Sequence, residues 1–206
     1  MKNMFLIGDS ISLYYHKYLK EILNGKVYYF RKGNEDEIKS ALNTPNNPYG
    51  ANGGDSELVV SYMENMVENG KKYDLLLVNC GLHDIRVDRE NLKRQISEEK
   101  YKQNLEKIVK LALKITNKLI WINTTHVNNK IHNSREYGYL RFNEDVIKYN
   151  EIAKEIMKEN NVDIIDLYKF TKSIEGDDMY KDHVHFKDNI SKKQAEYIYD
   201  NIKKYI

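Results

Sequence analysis

The chain has 206 residues, 41% hydrophobic and 31% charged, which suits one globular domain with a substantial core. Its 33 basic and 31 acidic residues leave a net charge of +2, which argues against a nucleic acid or a membrane surface as partner. The single cysteine excludes an internal disulfide framework and fits a reducing compartment. The amino terminus is unlike a secretory signal, and no stretch approaches the roughly 20 apolar residues of a membrane span. We therefore expect a soluble cytoplasmic protein, and its oligomeric state stays open.

Five short apolar runs are typical of strands, and segments with helical spacing separate them. The predicted strands are 4–7, 27–30, 75–78, 119–122 and 162–167. Most of these runs are continuous rather than alternating, as expected for parallel strands that are covered on both faces. Apolar residues recur with helical spacing at 11–23, 58–67, 101–115 and 146–157, and a last helix is expected near 194–206. This alternation predicts one α/β domain over residues 1–206, with an open parallel sheet and helices on both sides.

Polar residues of the types used in catalysis follow four of these strands. In an open parallel sheet, ligands bind beyond the carboxyl ends of the strands, so we expect these residues at one edge of the molecule. Two polar loops are also predicted, 43–55 with both prolines and 132–145, and the length of the first suggests that it covers something. The candidate residues are Gly8, Asp9 and Ser10 after the first strand, 81–84 after the third, His126 after the fourth, and Asp182 and His185 after the fifth.

Ser10 is the candidate nucleophile. A serine hydroxyl needs a base to take its proton, and that base is usually a histidine oriented by an acid. Asp182 and His185 are three residues apart, so one loop can carry both groups. Alternatively, Ser10 is only a helix N-cap, and Asp182 and His185 belong to an ordinary surface loop.

Negative charge that develops on a substrate oxygen needs fixed donors. Ser10 is predicted at a helix N-terminus, where unpaired N–H groups favour an anion. Gly54 offers a backbone N–H without a side chain in the way, and His83 offers a ring N–H. Asp9 and Asp84 are expected to bond nearby backbone. Arg86, His126 and Asn128 lie on loops at the same edge, and each is either a substrate contact or a solvated loop residue.

These segments resemble the SGNH, or GDSL-like, hydrolase family. The matching blocks are IGDSIS at 7–12, NGGDS at 52–56, GLHD at 81–84 and DHVHF at 182–186, in the family's order. The resemblance implies a flavodoxin-like three-layer sandwich with a five-stranded parallel sheet, a Ser10–His185–Asp182 triad, and an oxyanion hole of Ser10, Gly54 and His83. It also implies that neither a metal nor a cofactor is needed. His83 departs from the family pattern, which has an asparagine at that position.

The sequence thus predicts a serine esterase that removes a small acyl group, such as acetyl, from a carbohydrate or another polar metabolite. Asp9, Arg86 and His126 are possible substrate-binding residues. An acyltransferase, a thioesterase or a lysophospholipase with the same site remains open, and so does a non-catalytic binding module with the same fold. A metal site at His183 and His185 is a further alternative, although no third ligand with suitable spacing accompanies them.

Overall fold

A five-stranded parallel sheet organises the computed structural model, which describes residues 1–136, 138–174 and 176–206. The strands are β1 (Asn3–Ile7), β2 (Tyr28–Arg31), β3 (Leu75–Val78), β4 (Val87–Asp88), β5 (Leu119–Ile122), β6 (Tyr139–Leu140) and β7 (Asp163–Ile165). The sheet has the order β2-β1-β3-β5-β7, while β4 and β6 form a separate antiparallel pair. All five predicted strands are confirmed, each to within two residues at either end.

Eight helices surround the sheet. They are α1 (Ser10–Leu23), α2 (Glu35–Asn43), α3 (Ser56–Glu68), α4 (Glu98–Ile115), α5 (Asn129–Asn133), α6 (Asn143–Glu159), α7 (Leu167–Ser173) and α8 (Asp188–Ile202) in the described residues. Helix α1 packs on α8, whereas α3, α4 and α6 pack in series. Because crossovers are right-handed and the chain reverses direction after β2, these two groups lie on opposite faces of the sheet. The predicted α/β sandwich is therefore confirmed.

The core explains why the strands appear as continuous apolar runs. Every residue of β3 and β5 is buried, because helices cover both faces of the central strands. Trp121 and Cys80 lie in this core, and burial raises the pKa of the Cys80 thiol well above its usual range. In the part of the chain that the structure describes, no helix has the length and apolar character to cross a membrane.

The chain reverses direction between β1 and β3, which is where such sheets bind ligands. Residues 44–55 follow α2 as an irregular segment at this edge, as predicted. The second predicted loop is more structured than expected. It contains the end of α5, strand β6 and the start of α6, and its residue 137 lies outside the described residues.

Candidate active site

The turn from β1 into α1 sets the position of Ser10. Asp9 caps the helix, because its Oδ1 accepts the N–H of Ile11 at 2.9 Å. A Cβ on Gly8 would lie 2.8 Å from Cβ of Ser12, so glycine is required for this tight exit from the strand. Ser10 is the first helical residue, and its N–H has no acceptor among the described residues. That N–H is one of the orphan donors at the helix N-terminus.

The structure brings Ser10, His185 and Asp182 together in one hydrogen-bonded relay. Nε2 of His185 lies 2.8 Å from Oγ of Ser10, and Nδ1 of His185 lies 2.7 Å from Oδ2 of Asp182. Ser10 is 3% exposed and His185 is fully buried. The ring of Tyr14, one turn along α1, packs against the imidazole with a centroid distance of 4.8 Å. The orientation of His185 is therefore fixed on three sides.

Asp182 is held as a carboxylate. Burial opposes its ionisation, but the hydrogen bonds that it accepts from the His185 ring and from the backbone of His185 and Val184 outweigh this cost and lower the pKa of Asp182 well below its usual range. Oδ1 of Asp182 also accepts the N–H groups of Val184 and His185, both at 2.9 Å. The same four-residue loop thus fixes the acid and directs Nδ1 of His185 towards it.

The segment around Gly54 joins β1 through backbone contacts. Gly53 donates its N–H to the carbonyl of Gly8 at 2.8 Å, which brings this segment to the end of β1. Gly54 has a φ of +72°, and a Cβ there would lie 2.5 Å from a methyl group of Leu58. Its N–H donates to Oδ1 of Asn52 at 3.0 Å. An oxyanion that accepts this N–H would therefore replace Oδ1 of Asn52 as its acceptor or share the N–H with it.

His83 is buried with a free acceptor or donor position on its ring. It is 1% exposed, and its Nδ1 has no hydrogen-bond partner in the described part of the chain. Burial, together with the positive charges of Arg86 and Arg141, lowers the pKa of His83 well below its usual range. The imidazole is consequently neutral, so one of its nitrogens carries a proton to donate. Asp84 next to it is structural, as predicted, since both its oxygens accept the N–H of Ser56 at 2.9 and 3.1 Å.

The three residues predicted as possible substrate contacts lie in surroundings that differ from one another. Asp9 is 1% exposed and caps α1, so its carboxylate is already engaged. Nη2 of Arg86 donates to the carbonyl of Asn46 at 2.8 Å, within the loop that follows α2. His126 lies among aromatic rings, and burial is the largest factor that lowers its pKa to about 4. The rings around it belong to Tyr168, Tyr180 and Phe186.

Sequence reasoning missed two buried polar side chains near the site. Arg141 and His132 lie in the segment predicted to be a polar loop, yet they are 1% and 0% exposed. Nδ1 of His132 lies 2.7 Å from Nδ1 of His183, and the rings of His183 and His185 are inclined at 73°. Among the residues that the structure describes, no group of three or more His, Cys, Asp or Glu is arranged to hold a metal. The only sequence signal for Arg141 is its position between Leu140 and Phe142.

Comparison with solved structures finds the same fold in several bacterial proteins. A member of the lipolytic G-D-S-L family from Veillonella parvula has a TM-score of 0.69 at 18% identity, with 98% of each chain covered. A psychrotrophic esterase from Pseudoalteromonas has a TM-score of 0.67 at 16% identity, with 100% of this chain and 98% of that chain covered. An acetyl xylan esterase from Geobacillus stearothermophilus has a TM-score of 0.63 at 15% identity, with 98% and 94% covered. A search of curated proteins found no significant match.

The family comparison covers nearly the whole sequence. The model of the family described as GDSL-like Lipase/Acylhydrolase matches residues 4–198, from the first strand to the last helix. This range includes Ser10, His83, Asp182 and His185. The chain therefore belongs to the GDSL-like lipase/acylhydrolase family, whose members are hydrolases of ester bonds.

Proposed function

We propose that the protein is a serine esterase in which Ser10 is the nucleophile, His185 the general base and Asp182 the orienting acid. The observation that carries this proposal is the continuous relay from Oγ of Ser10 through His185 to Asp182, with links of 2.8 and 2.7 Å. These distances lie within the range for a nucleophile and its base. Ser10 also has the orphan N–H of a helix N-terminus beside its hydroxyl.

In the first half of the reaction, Nε2 of His185 takes the proton of Ser10 as Oγ attacks the ester carbonyl carbon. The resulting imidazolium is stabilised by the Asp182 carboxylate, which stays ionised. When the tetrahedral intermediate collapses, the bond to the alcohol oxygen breaks and His185 gives that oxygen its proton. The alcohol leaves, and the acyl group remains on Ser10 as an ester.

In the second half, water replaces the alcohol. His185 takes one proton of the water molecule, and the hydroxide oxygen attacks the acyl carbon. The second tetrahedral intermediate expels Oγ of Ser10, which recovers its proton from His185. The products are a carboxylic acid and free enzyme, and these steps consume no cofactor.

The oxyanion formed in both halves needs donors that are already in place. We assign these to the N–H groups of Ser10 and Gly54 and to the ring N–H of His83. The unpartnered N–H of Ser10 and the neutral, buried imidazole of His83 support this assignment. Gly54 contributes once its N–H turns from Oδ1 of Asn52 towards the substrate.

A small acyl group and a polar alcohol suit this site best. Ser10 is 3% exposed, which favours a short acyl chain over a long one. The side chains beside the relay are polar, and Asn46 extends its amide to within 3.5 Å of Nε2 of His183. The acetyl xylan esterase among the structural neighbours has the same fold with a short acyl group and a carbohydrate as its substrate. We therefore propose an acetyl or similar ester of a carbohydrate or another polar small molecule.

A series of 4-nitrophenyl esters tests this function. We expect kcat/KM to be highest for acetate and to fall steadily from butyrate to decanoate, and we expect Ser10→Ala to abolish turnover of all of them. A maximum at decanoate would contradict the short acyl group, and turnover retained by Ser10→Ala would contradict the nucleophile. Product analysis with a carbohydrate acceptor in the assay then distinguishes hydrolysis from acyl transfer.

A further inference from the structure

Arg141 places a buried positive charge next to the proposed oxyanion site. It follows β6, it is 1% exposed, and its Nε donates to the carbonyl of Leu82 at 2.7 Å. Leu82 directly precedes His83 in the chain. The Arg141 guanidinium carbon also lies 5.0 Å from the ring centroid of Tyr139. The charge is therefore held against the segment that carries the proposed ring donor.

The hydrogen bonding of Arg141 is incomplete. Its Nη1 is buried without a hydrogen-bond partner among the described residues, and none of their carboxylates forms an ion pair with it. The side chain that interacts with the guanidinium, Tyr139, is a neutral phenol. Burial lowers the pKa of Arg141 to about 10, so the group remains charged at neutral pH. An uncompensated buried charge costs stability, and a fold keeps one where it serves a purpose.

Arg31 shows how this fold treats a buried arginine that only supports structure. It is 7% exposed, and all three of its nitrogens donate hydrogen bonds. Its acceptors are the carbonyls of Lys32, Ser12 and Ala51 and the hydroxyl of Ser12, at 3.0–3.2 Å. Arg141 is more deeply buried but lacks such a set of acceptors. The difference indicates that part of the Arg141 guanidinium is kept for an external acceptor.

Arg86 adds a second positive charge beside the first. Its guanidinium carbon lies 4.5 Å from the ring centroid of Tyr139, so two guanidinium groups share one aromatic ring. Its Nε is also buried without a partner in the described part of the chain. The acceptor of its Nη2, the carbonyl of Asn46, is a neutral group that an incoming anion can replace.

The surrounding acids of the described residues form no ion pair with these two arginines. The acids that act on them most closely, Asp9, Asp55 and Asp84, each accept a backbone N–H group. Burial, reinforced by nearby positive charge, lowers the pKa of His132 to about 3. Burial likewise lowers the pKa of His183 to about 4, so both rings are neutral at pH 7. These two histidines therefore add no charge beside the two guanidinium groups.

We propose that Arg141, assisted by Arg86, binds an anionic oxygen group of the substrate, so that the preferred ester carries a carboxylate or phosphate near the reacting bond. Guanidinium groups match the planar geometry of such oxygens and form charge-assisted hydrogen bonds with them. This inference rests on the proposed esterase function and narrows its substrate class to anionic esters. The anion is on either the acyl part or the alcohol part, and two assay arms distinguish these positions.

The first experiment compares matched charged and neutral esters. Mono-4-nitrophenyl succinate is paired with 4-nitrophenyl pentanoate for the acyl arm, and 4-acetoxybenzoate with 4-acetoxybenzamide for the alcohol arm. We expect the charged-to-neutral ratio of kcat/KM in one arm to fall about tenfold to a hundredfold in Arg141→Gln. Some loss on neutral esters accompanies it, because Nε anchors Leu82, so the ratio is the quantity that tests the proposal. Lys107→Gln removes an exposed charge of α4 that is paired with Glu64 of α3, and it should leave the ratio unchanged.

The second experiment needs only the wild-type protein. Benzoate and benzamide compete with 4-nitrophenyl acetate at constant ionic strength, and we expect the anion to inhibit at least tenfold more strongly. Equal inhibition, or an Arg141→Gln variant that loses charged and neutral substrates in equal proportion, would overturn the anion site and leave Arg141 as a support for Leu82. In both cases the protein would still hydrolyse neutral esters, and the proposed esterase function would be unaffected. A complete lack of ester turnover by the wild-type protein would instead contradict the proposed function itself.

Discussion

Replacement of Asp182 by asparagine should lower kcat by about four orders of magnitude, as loss of the correct tautomer does in serine hydrolases generally. Oδ2 of Asp182 lies 2.7 Å from Nδ1 of His185 and keeps the proton on that nitrogen. An asparagine amide can present its NH₂ group there, which moves the proton to Nε2. Nε2 then donates towards Ser10 and can no longer take its proton.

The size of this effect follows from the geometry. A 10⁴-fold loss corresponds to about 5 kcal/mol of barrier. A carboxylate and an imidazolium about 4 Å apart attract each other by about 4 kcal/mol at an effective dielectric constant of about 20. The Asp182 side chain is 28% exposed, so solvent screens this attraction only in part. The unfavourable tautomer accounts for the rest of the increase in the barrier.

The assay measures kcat with 4-nitrophenyl acetate, and circular dichroism checks that each variant folds. Asp188→Asn is the matched control, because Asp188 lies three residues after His185 and pairs with Lys17 at the surface. We expect this control to keep kcat within about twofold of wild type, since exposed ion pairs contribute little. A folded Asp182→Asn variant with a kcat within tenfold of wild type would refute the assigned role of Asp182.

Three further predictions concern the rest of the site. His83→Asn should retain turnover because it restores an amide donor, whereas His83→Ala should lose about 10²–10³ in kcat; equal losses in steady-state assays would show that the ring does not act as a donor. Gly8→Ala should lower the free energy of unfolding by about 1–3 kcal/mol, because its Cβ would lie 2.8 Å from Cβ of Ser12; an unchanged urea midpoint would contradict the packing argument. Burial raises the pKa of Asp84 to about 7, so protonated Asp84 stabilises the fold below about pH 4, and this contribution is lost as pH rises through about 7. Urea titrations should show the loss in wild type and a flatter pH dependence in Asp84→Asn, and identical profiles would contradict it.

The sheet was predictable because its strands are short, continuous and apolar, with polar residues at each end. Helices α1, α3, α4, α6 and α8 were predicted from their apolar stripes, although α8 begins six residues before its predicted start. Helix α2 was missed because it buries only Ile38 and Ala41. Its capping box, in which Asn34 and Glu37 bond each other's backbone, was a signal that the apolar pattern alone does not contain.

The catalytic residues proposed after β1 and before α8 were predictable from residue type and order, whereas the surroundings of the site were not. Local sequence places Ser10 at a helix start and His185 near an acid. Burial of Arg141 depends on the β4–β6 pair, which brings residues 87–88 and 139–140 together and has only two residues in each strand. Such a short pair has no periodic pattern, and a polar segment such as 132–145 is therefore expected in solvent. The engagement of the Gly54 N–H by Asn52 likewise depends on turn geometry rather than on residue type.

Covalent labelling of the native protein tests the proposed nucleophile most directly. After incubation with a fluorophosphonate, intact mass should increase by one phosphonyl group, peptide mapping should place that group on Ser10, and Ser10→Ala should remain unmodified. No adduct under conditions that label a known serine hydrolase, or an adduct that persists in Ser10→Ala, would contradict the relay between Ser10, His185 and Asp182 as the catalytic centre.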